Sequence, residues 1–395
     1  MIYHVLGCGP GSMGEAIAAG LIREDNSIVL IADINSANET AAREKLAKMP
    51  MGRMSGIMRA NPMRSGLDIL KLRNYLPRLF QSADVVISAL PAFLNPLIAE
   101  SVVRANETRE SHKNGRTHYC DLGGVLNVTK EILGLHQRAV VCGISLLPDC
   151  GLEPGLGNII AVDLFNYLES ANSIIIYVGG LPAYPSPPFY KKLFNLEGLR
   201  EIYYTPAPVL SHGESRQIMP RCRYERICSQ DWGLYFGTSE KIYFEAAITG
   251  GLGALPYYLE GKVQTLQEKT LRYDGHYKWV KKIRKKEFIE RLEELLKSYP
   301  VPEKDMALMV VRAEGVQKIT GKKIKIERMV KVESDENFNS MQTATGFTAA
   351  VIAKLIAEGH AKPGAHPPEM ALDPSIALQA LKKDFAINET QTPLP

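Results

Sequence analysis

Residues 2–14, at the start of the sequence, read IYHVLGCGPGSMG and contain the most informative motif of the chain. Its apolar first half predicts a buried β-strand over Ile2–Leu6, and the residues that follow predict a helix over Gly14–Ile22. The turn between them matches the pattern G-x-G-x-x-G with Gly9, Gly11 and Gly14. Glycines here allow a tight turn and let a diphosphate reach the free N–H groups at the helix start. The sequence therefore predicts a dinucleotide-binding turn.

The register of this turn has two alternatives. Gly7 and Gly9 also serve as the first two glycines if two residues are inserted before Gly14. In both registers Ser12 and Met13 lie at the N-terminus of the helix, where the partial positive charge of the helix dipole favours phosphate. A strand–turn–helix without a ligand is the alternative interpretation.

An acid follows at the distance that this kind of site requires. The predicted second strand, Ser27–Ala32, ends at Asp33, which lies nineteen residues beyond Gly14. A carboxylate at this place accepts hydrogen bonds from the adenosine ribose and repels a 2′-phosphate. No arginine occurs in the next several residues, so the sequence predicts NAD as cofactor in preference to NADP.

Further short apolar runs continue the same pattern along the first part of the chain. Asp84–Leu90, Arg116–Leu122 and Val140–Leu147 are predicted strands, and a helix is predicted over Thr129–Gln137. Ligands of open α/β sheets lie at the carboxyl ends of the strands. We therefore expect the turn Ala89, Leu90, Pro91 to border the nicotinamide half of the cofactor, although Pro91 also has the simpler role of ending a strand.

The predicted fold class is α/β, with an N-terminal Rossmann domain and a second, α+β domain. The change occurs around Asp149–Gly157, after which strands such as Ser173–Val178 are longer and alternate in polarity. Such strands are typical of an antiparallel or mixed sheet. We expect the Rossmann domain to comprise residues 1–125 and 343–395, and the substrate-binding and oligomerisation domain to comprise residues 126–342.

Composition excludes several classes of protein. The 395 residues carry 47 basic and 43 acidic side chains, a net charge of only +4, which argues against a nucleic-acid partner. No apolar run reaches the ~18 residues of a membrane span. The first residues enter the glycine turn without a basic leader, so we expect a cytoplasmic protein. The six cysteines show no C-x-x-C spacing, which predicts reduced thiols and no metal site. The basic run 278–286 is interpreted as a solvated surface.

Several segments resemble those of the saccharopine dehydrogenase superfamily, most closely the bacterial lysine 6-dehydrogenases. They are Val85–Phe93, Asp121-Leu122-Gly123-Gly124, Pro148–Gly155, Tyr177–Pro182, Phe194–Leu199, Thr270–His276 and His366-Pro367-Pro368-Glu369. The resemblance covers about 380 residues. It departs in the glycine turn, which is two residues longer, and at Ala247 and Ile248, which replace polar residues.

This resemblance implies a central domain on an open sheet, a C-terminal helix that returns to the Rossmann domain, and a homodimer. It also implies oxidation of a carbon–nitrogen bond in a lysine-derived amino acid, with hydride passing to the nicotinamide. Lysine 6-dehydrogenases remove the side-chain amine of lysine. The expected partner is therefore a small amino-acid substrate.

Such a reaction needs a cation for the substrate carboxylate and a base for the ammonium proton. We assign the carboxylate to Arg272, in the segment most like the family's substrate segment, with a surface arginine as the alternative. His276 is a candidate proton carrier, or a residue that caps a turn. Asp121 and Glu153 are candidates for the base or the amine anchor, and each has the alternative of a helix cap or backbone contact.

Three further residues are assigned to substrate contact. Tyr177 lies in an apolar strand, so core packing is its alternative role, and Glu197 is also placed to cap a helix. Thr249 stands before the paired glycines Gly250 and Gly251.

Three other functions stay open at the level of sequence. A dehydrogenase of the secondary amines saccharopine or carboxynorspermidine would need additional converging arginine or lysine side chains. A non-catalytic NAD-binding protein would lack a paired Arg272, and a transferase like homospermidine synthase would accumulate no NADH.

Overall fold

The protein is described from a computed structural model that covers residues 1–23, 27–49, 61–62, 66–109, 115–193, 195–220, 224–238 and 240–394. The described strands are β1 Ile2–Leu6, β2 Ile28–Ala32, β3 Asn61–Pro62, β4 Val85–Ser88, β5 His118–Asp121, β6 Ser145–Leu147, β7 Leu168–Pro182, β8 Ala207–Ser211, β9 Glu214–Ile218, β10 Tyr224–Cys228, β11 Tyr243–Ile248, β12 Val263–Tyr273, β13 Asp305–Gln317, β14 Lys323–Glu333, β15 Gly364–Ala365 and β16 Ile387–Pro393.

The described helices are α1 Met13–Ile22, α2 Ser36–Lys48, α3 Leu76–Phe80, α4 Asn95–Glu107, α5 Leu126–Leu133, α6 His136–Cys142, α7 Leu156–Tyr167, α8 Leu196–Tyr204, α9 Leu255–Leu259, α10 His276–Val280, α11 Phe288–Lys297, α12 Ser340–Ala357, α13 Pro368–Ala371 and α14 Pro374–Leu381. Most of the run 50–63 that is rich in methionine and glycine lies outside the described residues, as do Cys222 and Phe194.

The chain divides into two units. The first comprises Met1–Ile159 and Gln342–Asp384, and the second comprises Ile160–Met341 and Phe385–Pro395. The expected boundary after residue 125 differs from this division, because β6 extends the first sheet by pairing with β5. The expected end of the first domain at residue 395 also differs, because β16 pairs with β14 of the second unit.

The first unit is built on a parallel sheet with the strand order β15-β6-β5-β4-β1-β2-β3. This contains the order 3-2-1-4-5-6 that defines a Rossmann sheet. Four consecutive residues of β4 are buried, as both faces of a parallel sheet are covered. The predicted α/β class and Rossmann domain are therefore confirmed.

Helix α12 packs on α1 within this unit at positions where both helices carry small residues. A Cβ placed on Gly20 would lie 2.8 Å from Cβ of Ala350, and one on Gly346 would lie 2.6 Å from Cβ of Ala16. Nζ of Lys354 also donates to the carbonyl oxygen of Gly20, near the C-terminus of α1, at 3.0 Å. Residues late in the sequence thus complete the packing of the first helix.

The second unit is built on a mixed sheet with the main order β10-β11-β12-β7-β13-β14-β16. Only β12 and β7 pair in parallel along this path of described strands. The long strands alternate in polarity, as the sequence pattern predicts. One face carries the aromatic core of Tyr177, Trp232, Phe244 and Tyr273. A second core joins α8, α10 and α11 through Tyr203, Tyr277 and Phe288.

The predicted strand Val140–Leu147 is wrong in its first half. Residues His136–Cys142 form α6, which Gly143 ends with a left-handed φ of 64°. Val141 is 87% exposed, so its β-branched side chain marks the solvent face of a helix rather than a buried strand. The single helix predicted over Thr129–Gln137 is likewise divided between α5 and α6.

Candidate nucleotide cleft and active site

The glycine turn follows β1 and is shaped by two close backbone approaches. Gly7 has φ of +80°, and a Cβ there would lie 2.7 Å from the carbonyl oxygen of Ala89. A Cβ on Gly14 would lie 2.5 Å from the carbonyl oxygen of Gly7. Gly7 and Gly14 are therefore the positions that only glycine fits, which favours the register with two inserted residues. Sequence alone left this choice open.

The start of α1 is closed by a capping arrangement. Oγ of Ser12 accepts from the N–H of Glu15 at 3.2 Å, and Oε2 of Glu15 accepts from the N–H of Gly11 at 2.8 Å. Nζ of Lys45 donates to the same carboxylate oxygen at 2.9 Å. The Glu15 side chain is fully buried. An acidic side chain therefore already accepts a hydrogen bond from one of the loop N–H groups that would otherwise be available to a phosphate.

Asp33 follows β2 and is oriented by its neighbours. Its Oδ1 accepts from the N–H of Asn35 at 2.9 Å and from Nδ2 of Asn38 at 3.1 Å. A Cβ on Gly9 would lie 3.2 Å from Oδ2 of Asp33, so the absence of a side chain at Gly9 leaves room beside this oxygen. The carboxylate is thus fixed with one oxygen directed to the glycine turn.

A cleft of about 420 Å³ adjoins the turn and Asp33. Its lining includes predicted cofactor residues Gly7, Asp33, Ala89, Leu90 and Pro91. Ile34, Leu70 and Phe93 also line it and are 69%, 60% and 71% exposed. The lining also includes a second acid, Asp68, whose Oδ1 accepts from the N–H groups of Leu70 and Lys71. Exposed apolar side chains beside Asp33 suit a ligand with a flat apolar ring and a sugar diol. Gly9, Gly11, Ser12, Met13 and Gly14 form the adjoining turn and helix start.

Buried acids cluster at the carboxyl ends of β5 and β6 in the same unit. Asp121 ends β5, and its Oδ2 accepts from the hydroxyl of Tyr119 at 2.7 Å while its Oδ1 accepts from the N–H of Gly123 at 2.7 Å. The N–H of Asp149 lies 3.3 Å from the same Oδ1. This confirms that Asp121 lies at a strand end, although its neighbour Asp149 was not singled out.

Asp149 is held in an unusual backbone conformation, with φ of 69°. Oγ1 of Thr129 lies 3.0 and 3.1 Å from its two carboxylate oxygens. A Cβ on Gly123 would overlap its side chain, so the turn after Asp121 needs glycine at that place. A strained, fully buried aspartate is typical of functional sites.

Burial raises the pKa values of these carboxyl groups toward neutrality. The pKa of Asp121 is raised to about 6, and hydrogen bonds from Tyr119 and two N–H groups oppose the effect of burial. Burial and then the charge of Asp121 raise the pKa of Asp149 to about 7. Groups that exchange protons near pH 7 are suited to general acid–base catalysis.

Glu369 lies in α13 and is a further buried acid of this unit. Burial raises its pKa to about 8, and the charge of Asp149 adds to the shift. Its Oε1 accepts from Nδ2 of Asn158 at 3.2 Å, and its Oε2 is buried without a hydrogen-bond partner among the described residues. Glu153 is half-buried in the loop before α7. Both Glu369 and Asp149 stand in segments that resemble the family, and that resemblance was the one signal in the sequence that pointed to them.

Arg272 lies on β12 in the second unit and is only 1% exposed. Its Nε donates to the hydroxyl of Tyr203 at 2.7 Å, and its Nη1 donates to the carbonyl oxygen of Leu271 at 2.7 Å. Among the described residues, no carboxylate lies within ion-pair distance of its guanidinium. The alternative that Arg272 is a surface arginine is therefore wrong. In the described part of the chain, Arg272 is a buried cation without an ion-pair partner.

His276 begins α10 beside this arginine. Its Nε2 lies 3.0 Å from the hydroxyl of Tyr203. Burial, and then the charge of Arg272, lower its pKa well below the usual value. The imidazole is therefore neutral at pH 7. It contacts Tyr190, Tyr203 and Tyr277 rather than capping an exposed turn.

Thr249 belongs to a buried polar group that includes an acid missed in the sequence. Its Oγ1 donates to Oε2 of Glu268 and lies 2.6 Å from Oγ1 of Thr270. The N–H of Gly251 donates to the same carboxylate at 3.2 Å. Burial raises the pKa of Glu268 to about 7. Glu268 was not singled out in the sequence, because the alternation of a strand does not say which face is covered.

The two remaining substrate candidates lie elsewhere in the second unit. Tyr177 is buried against Trp232, with ring centroids 5.3 Å apart, and the Arg312 guanidinium lies 5.3 Å from its ring centroid. Glu197 is 64% exposed in the first turn of α8 and pairs with Arg200. The structure therefore does not bring Tyr177 or Glu197 to Arg272.

Two further properties of the described parts of the chain bear on ligands and membranes. These parts contain no group of three or more histidine, cysteine, aspartate or glutamate side chains arranged for a metal ion. None of their helices is both long and apolar enough to cross a membrane. Residues of the run 278–286 are largely exposed, as expected for a solvated surface.

Comparison with known proteins decides the family. The sequence model of the saccharopine dehydrogenase C-terminal domain matches residues 151–384, more than half of the chain. This chain belongs to the saccharopine dehydrogenase C-terminal domain family. The superfamily resemblance that the short segments indicated is thereby confirmed.

The relatives are distant and much longer. Mitochondrial alpha-aminoadipic semialdehyde synthase of Bos taurus is 26% identical over 219 residues, which are 53% of this chain and 20% of that protein. The Arabidopsis thaliana alpha-aminoadipic semialdehyde synthase is 25% identical over 220 residues, 53% of this chain and 19% of that protein. This chain thus matches about a fifth of the length of these relatives.

A solved structure matches over the whole chain. Apo saccharopine dehydrogenase (L-Glu forming) from Saccharomyces cerevisiae has a TM-score of 0.71 and 16% identity, with 100% of both chains covered. This likeness shows that the two proteins share a fold.

Proposed function

We propose that this chain is an NAD-dependent oxidoreductase that oxidises a carbon–nitrogen bond of a lysine-type amino acid. The observation that carries the proposal is the cleft beside the glycine turn, in which Asp33 is the oriented carboxylate. Membership of the saccharopine dehydrogenase C-terminal domain family supports the reaction class. The fold shared with yeast saccharopine dehydrogenase supports it as well.

The cofactor residues are those of the first unit. Asp33 accepts hydrogen bonds from the adenosine ribose hydroxyls, and the N–H groups around Gly9–Gly14 donate to the diphosphate. The apolar side chains of the cleft beside Asp33 are proposed to contain the adenine. Ala89, Leu90 and Pro91, which were expected to border the nicotinamide half, line this same cleft and are proposed to border the cofactor there. When bound, the nicotinamide supplies the hydride acceptor of the reaction.

The acids of the first unit are proposed to receive the substrate amine. Only a neutral amine readily gives up hydride, so a carboxylate must take the ammonium proton first. Asp121 is the proposed base, because it is buried yet ionised over most of the neutral range. Asp149 and Glu153 are proposed to orient the amine and to hold the proton afterwards.

The second unit, taken by itself, offers the complementary charge. A buried arginine without a counterion is costly, and a substrate carboxylate would satisfy it. Arg272 is therefore proposed to hold the carboxylate, with His276 and Thr249 as supporting polar groups.

Two substrates remain candidates within this proposal. Lysine is supported by the resemblance to lysine 6-dehydrogenases and by the unpaired buried Arg272. Saccharopine is supported by the shared fold with the yeast protein, which is an L-Glu-forming saccharopine dehydrogenase, and it has a secondary amine. A homodimer, which the family resemblance implies, is a further part of the proposal, as is a cytoplasmic location.

An NADH-formation screen tests the function. Purified protein is given NAD with lysine, ornithine, saccharopine and norspermidine derivatives, and absorbance is followed. We expect NADH from lysine or saccharopine. Turnover without net NADH would instead favour a transferase, and calorimetry that shows no binding of either pyridine nucleotide would refute the proposal.

The variant Asp33→Ala tests the cofactor site. Loss of hydrogen bonds to a charged group is expected to weaken NAD about 10- to 100-fold, while NADP changes less. The matched control is Asp384→Ala, which removes an acid that pairs with Arg23 at the surface of the same unit. Stronger binding of NADP than of NAD to the unmodified protein would contradict the choice of cofactor.

A further inference from the structure

The surroundings of Arg272 contain a second unsatisfied polar group, the hydroxyl of Tyr190. Tyr190 is 1% exposed, and its hydroxyl oxygen is buried without a hydrogen-bond partner among the described residues. Leaving such a group unpaired costs stability, so native proteins rarely keep one without a use. No motif in the sequence singles out this tyrosine.

The unpaired hydroxyl belongs to the same local group as the guanidinium of Arg272, which donates to Tyr203 and Leu271 but has no ion pair among the described residues. Cζ of Arg272 lies 5.5 Å from the centroid of the Tyr190 ring. The positive charge of Arg272 opposes the burial that raises the pKa of Tyr190. The ring of Tyr190 also lies 5.7 Å from that of His276.

The other tyrosine beside Arg272 provides the contrast. The hydroxyl of Tyr203 accepts from Nε of Arg272 at 2.7 Å and lies 3.0 Å from Nε2 of His276. Its hydrogen-bonding capacity is used inside the protein. Tyr203 thus orients the arginine, whereas the Tyr190 hydroxyl has no such task in the described part of the chain.

Tyr190 also lies at the edge of open space. It lines a cleft of about 410 Å³ in the second unit, together with Lys191, Lys192 and Lys297. Lys191 pairs with Asp305 at 2.6 Å, whereas Lys192 and Lys297 are exposed and favour approach of an anion.

We propose that the hydroxyl of Tyr190 and the guanidinium of Arg272 together bind one carboxylate group of the amino-acid ligand. This inference rests on the proposed function and adds a residue to its substrate site. A carboxylate accepts from both donors at once, so one ligand group satisfies a buried cation and a buried hydroxyl. Tyr190 thereby discriminates amino acids from amines that lack the carboxylate.

The test compares L-lysine and saccharopine with cadaverine, which is lysine without its carboxylate. Binding to the full chain, with NAD present, is measured for the unmodified protein and for Tyr190→Phe. We expect the variant to bind the carboxylate ligands about 10- to 100-fold more weakly, because a hydrogen bond to a charged group is lost. Cadaverine should bind both proteins equally.

Thermal unfolding separates this role from a structural one. Tyr190→Phe should unfold at the same temperature as the unmodified protein or a higher one, because it removes only an unpaired hydroxyl. Tyr203→Phe should unfold at a lower temperature, because it removes the partner of Arg272 and His276. Tyr184→Phe, in an exposed position that is 63% accessible, is the neutral control.

Each result has a definite consequence. Unchanged carboxylate binding in Tyr190→Phe, or a clear loss of thermal stability, overturns the inference while leaving the proposed dehydrogenase intact. If NAD binds but neither carboxylate ligand binds the unmodified protein, the inference is wrong. If NAD itself does not bind, the proposed function fails independently of Tyr190.

Discussion

The two units of the chain bury opposite charges in different ways. The first unit places acids at the ends of short parallel strands, where Asp121 and Asp149 share hydrogen bonds with backbone N–H groups. The second unit places Arg272 and Glu268 on the one long strand β12, held by side chains such as Tyr203 and Thr249. The first site is therefore made mainly by turns, and the second mainly by side chains of the sheet.

The difference matters for what each unit binds. Acids without nearby cations raise one another's pKa values and favour a bound proton or an ammonium group. Arg272 shares β12 with Glu268, where burial raises the pKa of that carboxyl and the charge of Arg272 lowers it. The arginine has no carboxylate at ion-pair distance among the described residues, which favours a bound carboxylate.

Asp121→Asn is expected to have the largest effect. It keeps an acceptor for the N–H of Gly123 but cannot take a proton, so kcat should fall about 10²- to 10⁴-fold while NAD binding is unchanged. In the unmodified protein, kcat/KM should rise as the pH passes about 6, where Asp121 loses its proton, and this limb should be absent in the variant. Steady-state kinetics across pH checks both points, and an unchanged kcat would remove Asp121 as the base.

Arg272→Met is expected to weaken substrate binding without loss of stability. Replacement of a buried unpaired charge by an apolar residue of similar length is commonly neutral or stabilising. The substrate KM should rise about 100-fold, as expected for loss of a charged, hydrogen-bonded contact. Thermal unfolding and KM are measured together. A variant that unfolds much more easily but keeps its KM would make Arg272 a structural residue.

Glu369→Gln is expected to change how stability depends on pH. The folded-state pKa of about 8 is above the unfolded value near 4.5, so the folded protein binds the extra proton. The contribution of Glu369 is therefore complete below about pH 4.5 and is lost as the pH rises toward 8, by at most about 1.4 kcal/mol per pH unit. Melting temperatures of the two proteins should agree near pH 4.5, and the variant should be more stable at pH 8.5. Parallel curves would contradict the shifted pKa.

Glu15→Gln is expected to have the smallest effect, in the direction of tighter binding. The carboxylate of Glu15 occupies the N–H of Gly11, so a diphosphate must compete with it and with its charge. The neutral amide keeps the cap of α1 and should increase NAD affinity a few-fold, about the size of a weak electrostatic contact. Calorimetry checks this. Weaker binding would show that Glu15 instead supports the turn in the bound form.

The first unit could be predicted from the sequence better than the second for a physical reason. Gly7, Gly14 and Asp33 act through backbone shape and a fixed spacing, and both are visible in the order of residues. Glu268 and Tyr190 act through burial that depends on which face of a long strand is covered and on residues far along the chain. Asp149 could have been identified from the sequence, because it lies in a segment that resembles the family. Its closeness to Asp121, however, depends on the turn at Gly123.

The error over residues 140–147 has the same origin. Valine favours strands only when the pleated surface around it is covered. At Val140 and Val141 the chain is a helix whose apolar residues face solvent, and Gly143 turns it toward β6. Apolar composition therefore indicated burial where the fold provides none.

The contact of α12 with α1 also sets an order for folding during synthesis. Helix α1 leaves the ribosome long before α12, so Gly20 and Ala16 meet their packing partners only after residues 346–350 have been made. Nearly the whole second unit is translated in between. In a nascent chain, α1 is therefore incompletely packed throughout that interval. A nucleotide that binds during this time would bind a domain that still lacks α12.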